Sequence, residues 1–167
     1  MTNIVRDDTT MEPETVAPRA EARALPADER LRALVHFYET LRPQTVVQIE
    51  RLYAREAGFK DPFNEVRGTA AIRRIFEHMF RQVDAPRFEI VSAAVQGDAA
   101  FLAWTMAYRP HGRPQAEMRI RGCTAVRFDA TGRVAWHRDY WDAAEELYEK
   151  LPLLGLLMRW LRRRIAA

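Results

Sequence analysis

The segment LYAREAGFKDPFNEVRGTAAIRRIF, residues 52–76, joins an extended, proline-bearing stretch to a strongly amphipathic helix. Pro62 disfavours helical backbone at Asp61, so the chain is expected to be extended there. Gly68 then marks the turn into the helix. Two interpretations of Asp61 stay open. It is a base in a pocket, because function concentrates on loops held by rigid elements, or part of an Asp-Pro turn on the surface.

The helix after Gly68 has the clearest amphipathic pattern in the chain. Its apolar face consists of Ile72, Ile75, Phe76, Met79, Phe80 and Val83. Upstream, helical spacing of apolar residues predicts one helix that opens near Pro26 and ends at Pro43. A second, short helix is predicted after Thr45, which can serve as its cap.

Downstream of Pro86 the hydrophobic period becomes that of strands. We predict four strands at residues 88–95, 99–108, 117–128 and 134–141, joined by hairpins. Three helices followed by four hairpin-linked strands indicate an α+β domain. In such a domain the helices pack on one face of a curved antiparallel sheet.

The two ends of the chain differ from the folded part, residues 26–142. Residues 1–25 are rich in charged residues, proline and threonine without periodicity, which predicts a disordered leader. Residues 143–167 are predicted to form a helical, basic tail. Three consecutive arginines, Arg162 to Arg164, lie near its end. Through residues 153–164 this tail can make a peripheral membrane contact. It can equally cap the open end of the domain or contact the partner in a dimer.

Composition excludes several classes of function. The length of 167 residues fits one domain with its own core, and the net charge is only +3 with scattered arginines. No nucleic acid is therefore predicted as a partner. Cys123 is the only cysteine, which excludes an intrachain disulfide and agrees with a cytoplasmic location.

Motifs for cofactors and metals are also missing from the sequence. There is no Gly-rich phosphate loop, zinc-protease motif or nucleophile elbow, and the four histidines lack metal-ligand spacing. We therefore predict no cofactor and no metal. No apolar stretch reaches the roughly 18 residues needed to span a bilayer.

The residues at 52–54, at Lys60-Asp61-Pro62 and at 67–73 resemble bacterial ketosteroid isomerase. More broadly, residues 30–142 are similar to the nuclear transport factor 2-like and SnoaL-like superfamily. The resemblance implies a cone, a cystatin-like roll in which a curved sheet wraps against helices around a deep apolar pocket. An extra C-terminal helix follows the cone here. The resemblance also implies a homodimer formed through the outer face of the sheet.

The resemblance implies roles for individual residues as well. Asp61 takes the position of the general base that moves a proton on the steroid. Tyr38 takes the position of the oxyanion hydrogen-bond donor, although a core tyrosine on the apolar stripe is an equal alternative. Where the isomerases use a protonated aspartic acid as a second donor, this sequence has Thr124, a weaker donor.

The last strand carries polar groups where the isomerases are mainly apolar. Alternation places His137, Asp139 and Trp141 on one face, and the resemblance makes this the pocket face. His137 and Asp139 would form a second acid/base pair. The alternative for Asp139 is a strand-end salt bridge with a nearby arginine such as Arg138 or Arg119. The expected pocket wall consists of Tyr53, Phe63, Phe76, Phe80, Ala103, Thr105, Thr124 and Trp141.

These observations support two hypotheses about function. The first is a cofactor-independent isomerase, cyclase or hydrolase that applies aspartate acid/base chemistry to a small apolar molecule, such as a carbonyl, epoxide or polyketide-like compound. The second is a non-catalytic domain for apolar-ligand binding or assembly, associated with a membrane surface through its tail.

Overall fold

The computed structural model describes residues 27–112, 116–150 and 152–165. The helices are α1 (Glu29–Glu39), α2 (Ile49–Leu52), α3 (Thr69–Gln82), α4 (Ala143–Glu146) and α5 (Pro152–Ile165). The strands are β1 (Tyr53–Lys60), β2 (Glu65–Arg67), β3 (Val83–Gln96), β4 (Ala99–Pro110), β5 (Met118–Phe128) and β6 (Val134–Tyr140). Short 3₁₀ turns lie at Val46–Gln48 and Tyr148–Lys150. The predicted leader, residues 1–25, lies outside the described residues.

Helix α1 begins at an aspartate cap and buries one face. The Asp28 carboxylate accepts hydrogen bonds from the backbone N–H groups of Arg30 and Leu31, which otherwise have no partner within the helix. The inward face contains Leu31, Leu34, Val35, Phe37 and Tyr38, all buried. The end of α1 thereby places the Tyr38 side chain in the interior.

Helix α3 starts where the sequence predicts. Gly68 has a φ of 90°, a conformation that side chains disfavour, and its carbonyl accepts the first helical hydrogen bond from Ile72. Ile72 and Phe76 are fully buried. The next residues around this face, Ile75 and Met79, border a cavity.

The six strands form one mixed sheet in the order β2-β1-β6-β5-β4-β3. The predicted sheet was wholly antiparallel with four strands. The structure adds β1 and β2 and pairs β1 with β6 in parallel. Tyr53, predicted in the second helix, instead begins β1. The sequence did not reveal these strands, because β2 has only three residues and β1 pairs in parallel with β6, about eighty positions away.

The sheet bends where β3 carries irregularities. Its register against β4 shifts between Asp84 and Arg87 and again between Ile90 and Ser92. Extra residues of this kind bend a strand and increase its twist. The bending lets the helices cover the inner face of the sheet and leaves space between them.

The C-terminal tail contains two helices after the domain. Helix α4 is capped by Asp142, and α5 begins at Pro152, so this proline starts a helix rather than interrupting one. Within the described residues, no helix is both long and apolar enough to cross a bilayer.

Candidate active site

A cavity of about 640 Å³ lies between α3, the end of α1 and the inner face of the sheet. Its walls are largely apolar, with contributions from Phe59, Phe76, Met79, Leu102, Trp104 and Ile120. A space of this size and character is typical of a small-molecule site.

A chain of hydrogen bonds runs from helix α1 to strand β6 beside this cavity. The Tyr38 and Tyr53 hydroxyl oxygens lie 2.9 Å apart, and the Tyr53 hydroxyl lies 2.9 Å from His137 Nδ1. His137 Nε2 lies 2.9 Å from Asp139 Oδ1. Four side chains from three separate elements are thus joined without a gap.

Strands β4 and β5 extend the chain beyond Asp139. The Thr124 hydroxyl donates to Asp139 Oδ1, and the indole N–H of Trp104 donates to Thr124 Oγ1 over 2.8 Å. Since both donors act in series, the Asp139 carboxylate is held in a fixed orientation.

The two ends of the four-residue chain reach the cavity, and its middle does not. Tyr38 and Asp139 line the cavity. Tyr53 is 0% exposed and His137 is 1% exposed. The Phe59 ring, which also lines the cavity, stacks on the His137 imidazole at a centroid distance of 4.7 Å. Substrate would therefore meet one hydroxyl and one carboxylate, joined behind the wall.

The protonation of His137 sets the direction of the two hydrogen bonds that Tyr53 makes, with His137 and with Tyr38. A neutral imidazole with its proton on Nε2 donates to Asp139 and accepts from Tyr53, which then accepts from Tyr38. A charged imidazolium donates to Tyr53 instead, and the Tyr53 proton then turns toward Tyr38. In that state the Tyr38 hydroxyl is free to donate into the cavity.

Both tyrosines keep their protons over a wide pH range. Burial raises the pKa of Tyr38 well above its ordinary value, and the nearby Tyr53 and the Asp139 carboxylate raise it further. Burial also raises the pKa of Tyr53, outweighing the hydrogen bond from Tyr38 that lowers it. Neutral phenols in this position act as donors or acceptors rather than as bases.

Asp61 lies between β1 and β2 and also lines the cavity, half-buried. Its Oδ1 accepts hydrogen bonds from the backbone N–H groups of Phe63 and Asn64, at 2.7 and 2.6 Å. Its Oδ2 accepts from the Asn64 side-chain amide at 2.9 Å. Asp61 therefore combines both interpretations from the sequence: it closes an Asp-Pro turn, and it faces the cavity.

The structure places the other predicted wall residues in three different locations. Phe63, Phe76, Thr124 and Trp141 line the cavity. Tyr53 lies behind the wall as a member of the hydrogen-bond chain. Phe80 borders a separate, shallower depression instead.

Strand β4 corrects the prediction for Ala103 and Thr105. The cavity takes the side chains of Leu102, Trp104 and Met106 from this strand. Successive side chains alternate across a sheet, so Ala103 and Thr105 belong to the outer face. Sequence alone does not distinguish the two faces of β4, because both are apolar.

Trp104 is a functional candidate that the sequence analysis missed. It both lines the cavity and donates to Thr124. Its neighbour across the sheet is Gly122, where an added Cβ would lie 2.5 Å from the indole. A glycine opposite a tryptophan in a strand was the available signal.

The predicted alternative for Asp139, a salt bridge with Arg138 or Arg119, is not what the structure shows. The Arg138 guanidinium lies over the Tyr140 ring, 4.7 Å from its centroid. Arg119 pairs with Glu117 at 2.9 Å. Asp139 instead pairs with His137.

A row of polar side chains on α3 borders the cavity on its exposed side. Arg74, His78 and Arg81 line it and are also exposed to solvent, so they mark where it opens. Among the described residues, no group of three or more histidine, cysteine, aspartate or glutamate side chains could hold a metal ion.

The sequence matches the profile of the SnoaL-like domain over residues 34–137, more than half of the chain. The chain belongs to the SnoaL-like domain family. The matched region contains the second half of α1 with Tyr38, the Asp61 segment and His137, and it stops just before Asp139. No curated protein matches the sequence at a significant level.

Solved structures share the fold of this SnoaL-like domain. A hypothetical protein from Catenulispora acidiphila DSM 44928, with a ketosteroid isomerase-like fold and in complex with trimethylamine, is 15% identical. It aligns with 73% of this chain and 92% of its own at a TM-score of 0.62. An LEH-like epoxide hydrolase of M. tuberculosis is 19% identical over 80% of this chain and 96% of its own, with a TM-score of 0.59.

A third neighbour carries the name of a SnoaL-like polyketide cyclase and comes from Jannaschia sp. CCS1. It is 10% identical over 70% of this chain and 87% of its own, with a TM-score of 0.62. At these identities the likeness establishes the fold alone. The names of the neighbours span several reactions, so the chemistry of this chain must be argued from its own residues.

Proposed function

We propose that this SnoaL-like domain is a cofactor-independent acid/base enzyme, an isomerase, cyclase or hydrolase, that acts on a small apolar molecule. The best-supported substrate class is a carbonyl compound with a removable proton on the adjacent carbon. The observation that carries the proposal is the buried chain from Tyr38 to Asp139, whose two ends open into an apolar cavity.

The hydrogen-bond chain from Tyr38 to Asp139 suits stabilisation of an oxyanion. With His137 charged, the Tyr38 hydroxyl donates its proton toward the cavity, where it would meet the oxygen of an enolate. Asp139 stabilises that imidazolium at 2.9 Å. Burial strengthens each of these interactions, since little water competes for the groups.

Asp61 is the proposed base. It faces the same cavity from the opposite end of β1, and its own turn holds the carboxylate in one orientation. It would take the proton from carbon and return it to another carbon. In a ring closure it would hold the proton while the enolate carbon attacks a second carbonyl group of the substrate, and then give the proton to the alkoxide that forms. Asp139 with His137 is the proposed second acid/base pair.

Deuterium exchange tests the proposal without knowledge of the product. The protein is incubated in D₂O with a panel of apolar ketones, and mass spectrometry follows deuterium uptake at the carbon beside the carbonyl. We expect protein-dependent uptake for at least one member. Tyr38→Phe should reduce the rate by about 100-fold to 1,000-fold, the usual cost of losing one oxyanion donor.

Two aspartate variants separate the roles. Asp61→Asn keeps the shape of the side chain but removes the base, and exchange should fall by about 100-fold or more. Asp139→Asn replaces the carboxylate that accepts a hydrogen bond from His137 and should slow exchange less than Asp61→Asn does. Unchanged exchange in Asp61→Asn would remove Asp61 from the mechanism.

A ligand-binding role is the second candidate, and one observation favours it. Both oxygens of Asp61 already accept hydrogen bonds within their own turn. Binding would be favoured over catalysis if compounds displace a fluorescent apolar dye from the cavity while no member of the ketone panel shows protein-dependent exchange.

We further propose a reducing, cytoplasmic setting, which suits the single free thiol of Cys123.

A further inference from the structure

Helix α5 turns its polar side toward the rest of the protein. Arg159 donates from Nη1 to the backbone carbonyl of Glu149 over 2.8 Å, and Arg162 lies 3.4 Å from the Glu149 carboxylate. Gly155 is buried against the same carbonyl, with no room for a Cβ. These three residues lie within one narrow arc of the helix. A helix packed on a soluble domain normally buries its apolar stripe instead.

The opposite side of α5 is apolar and exposed to solvent. Leu156 is 62% exposed, Leu157 51%, Trp160 50% and Ile165 83%. Helical spacing places Leu154 and Leu161 on the same arc, which covers about half of the circumference and also contains Arg164. Such an uncovered face on a terminal helix requires a partner that is itself apolar.

Charge identifies the chemistry of that partner. The fourteen residues of α5 include four arginines and no acidic side chain. Arg163 and Arg164 are exposed and follow the apolar face. The Arg164 guanidinium lies over the Trp160 ring at 4.7 Å, so its stem stays near the apolar side while its charge can reach outward.

We propose that α5 binds in the plane of a bilayer surface that contains anionic lipids. Its length of about 21 Å is less than the roughly 30 Å of a hydrocarbon core, so it lies on the membrane. The leucines and Trp160 enter the acyl boundary, and the arginines contact lipid phosphates. A second protein chain would have to supply an apolar groove and also carboxylates for Arg163 and Arg164, whereas an anionic bilayer surface offers both at once.

The location of α5 brings the membrane close to the cavity. It packs on Tyr148–Lys150, directly after Leu147, which lines the cavity. The Tyr148 ring also contacts Phe63 of the cavity wall, at a centroid distance of 6.5 Å. An apolar compound dissolved in the bilayer would be near the site.

Vesicle flotation of the full chain tests the proposal. The probes are vesicles of phosphatidylcholine alone and vesicles that also contain phosphatidylglycerol. We expect binding to the anionic vesicles and weak binding to the neutral ones. The variant Arg163→Gln/Arg164→Gln should bind anionic vesicles about 30-fold more weakly, since each arginine near such a surface contributes about fivefold.

Matched variants keep this test specific. Arg127→Gln/Arg133→Gln removes the same charge from exposed positions on β5 and in the turn before β6, and it should bind like the parent protein. Leu157→Gln/Trp160→Gln should abolish binding to both vesicle types, whereas Val47→Gln, at an equally exposed apolar position, should not. Circular dichroism confirms that each variant is folded.

Two outcomes would overturn the proposal. One is equal flotation of the parent and the Leu157→Gln/Trp160→Gln variant. The other is a lipid-free dimer, measured by sedimentation, that the same variant converts to monomer, because α5 would then bind a second copy. The deuterium-exchange test of the cavity is independent of both results.

Discussion

Tyr38 and Tyr53 couple the stability of the fold to alkaline pH. Burial raises the pKa of both above the ordinary tyrosine value of 10.0. Above that pH the unfolded chain releases these protons while the folded chain retains them. The free energy of unfolding must therefore fall as pH rises beyond about 10.

Urea unfolding at several pH values measures this effect. Lys60 and Lys150 are the only lysines, so tyrosines dominate the alkaline titration of the chain. We expect the double variant Tyr38→Phe/Tyr53→Phe to be less stable at neutral pH but to lose less stability between about pH 9 and 11. Tyr140→Phe, at a 48% exposed position, should keep the slope of the parent. An unchanged slope in the double variant would contradict the coupling.

Gly122 is the residue on which the position of Trp104 depends. A Cβ at this position would lie 2.5 Å from the indole ring. Overpacking of this kind typically costs about 1–3 kcal/mol. We predict that loss for Gly122→Ala in chemical denaturation. The displaced indole would also leave Thr124, so exchange in the cavity should slow as well.

Gly58→Ala provides the control for this substitution. It adds the same methyl group to another strand glycine, where the nearest atom, on Trp136, is at an ordinary contact distance of 3.4 Å. Its effect should stay within about 0.5 kcal/mol. Equal destabilisation by both variants would show that Gly122 has no special relation to Trp104.

Helix α3 combines the cavity wall and its charged border in one element. Ile75 and Met79 line the cavity, and the adjacent Arg74, His78 and Arg81 are exposed beside them. A substrate with an apolar body and one negative group would place that group against this border. We therefore predict a preference for apolar acids over neutral compounds of equal length.

Dye displacement by decanoate and by decanol measures that preference. Exposed charge pairs contribute about 0.2–1 kcal/mol each, so two arginines should favour decanoate by roughly 2-fold to 30-fold. The variant Arg74→Gln/Arg81→Gln should abolish the difference, and Arg127→Gln/Arg133→Gln should preserve it. Equal affinity of the parent protein for both compounds would refute the prediction.

Individual helices and strands also show how much sequence patterns can predict. Helix α3 and strand β5 have periodic apolar faces, and both form where the pattern places them. Strands β1 and β2 have no such periodic face in the sequence. They are held by pairing with each other across a tight turn and by pairing of β1 with β6, far along the polypeptide. Alternation also put His137 and Asp139 on one face, but their bonds to Tyr53 and Thr124 depend on contacts between distant elements.

At the scale of the whole molecule, the outer face of the sheet exposes large aromatic side chains among arginines. Phe101 and Tyr140 are each 48% exposed and Trp136 is 36% exposed. The strand registers place these side chains, with Cys123 and Ala103, on the face opposite the cavity. We propose that a second copy of the chain covers this surface, distinct from the membrane face of α5.

Sedimentation equilibrium of two variants tests this association. Aromatic residues at the centre of an interface commonly contribute 2 kcal/mol or more, so Phe101→Gln/Tyr140→Gln should raise the dimer dissociation constant by about 30-fold or more. Val47→Gln, at a 53% exposed position away from the sheet, should leave it unchanged. Leu157→Gln/Trp160→Gln should also dimerise normally, because α5 and the sheet face serve different partners. A parent protein that stays monomeric in sedimentation at concentrations on the order of 100 μM would rule the dimer out.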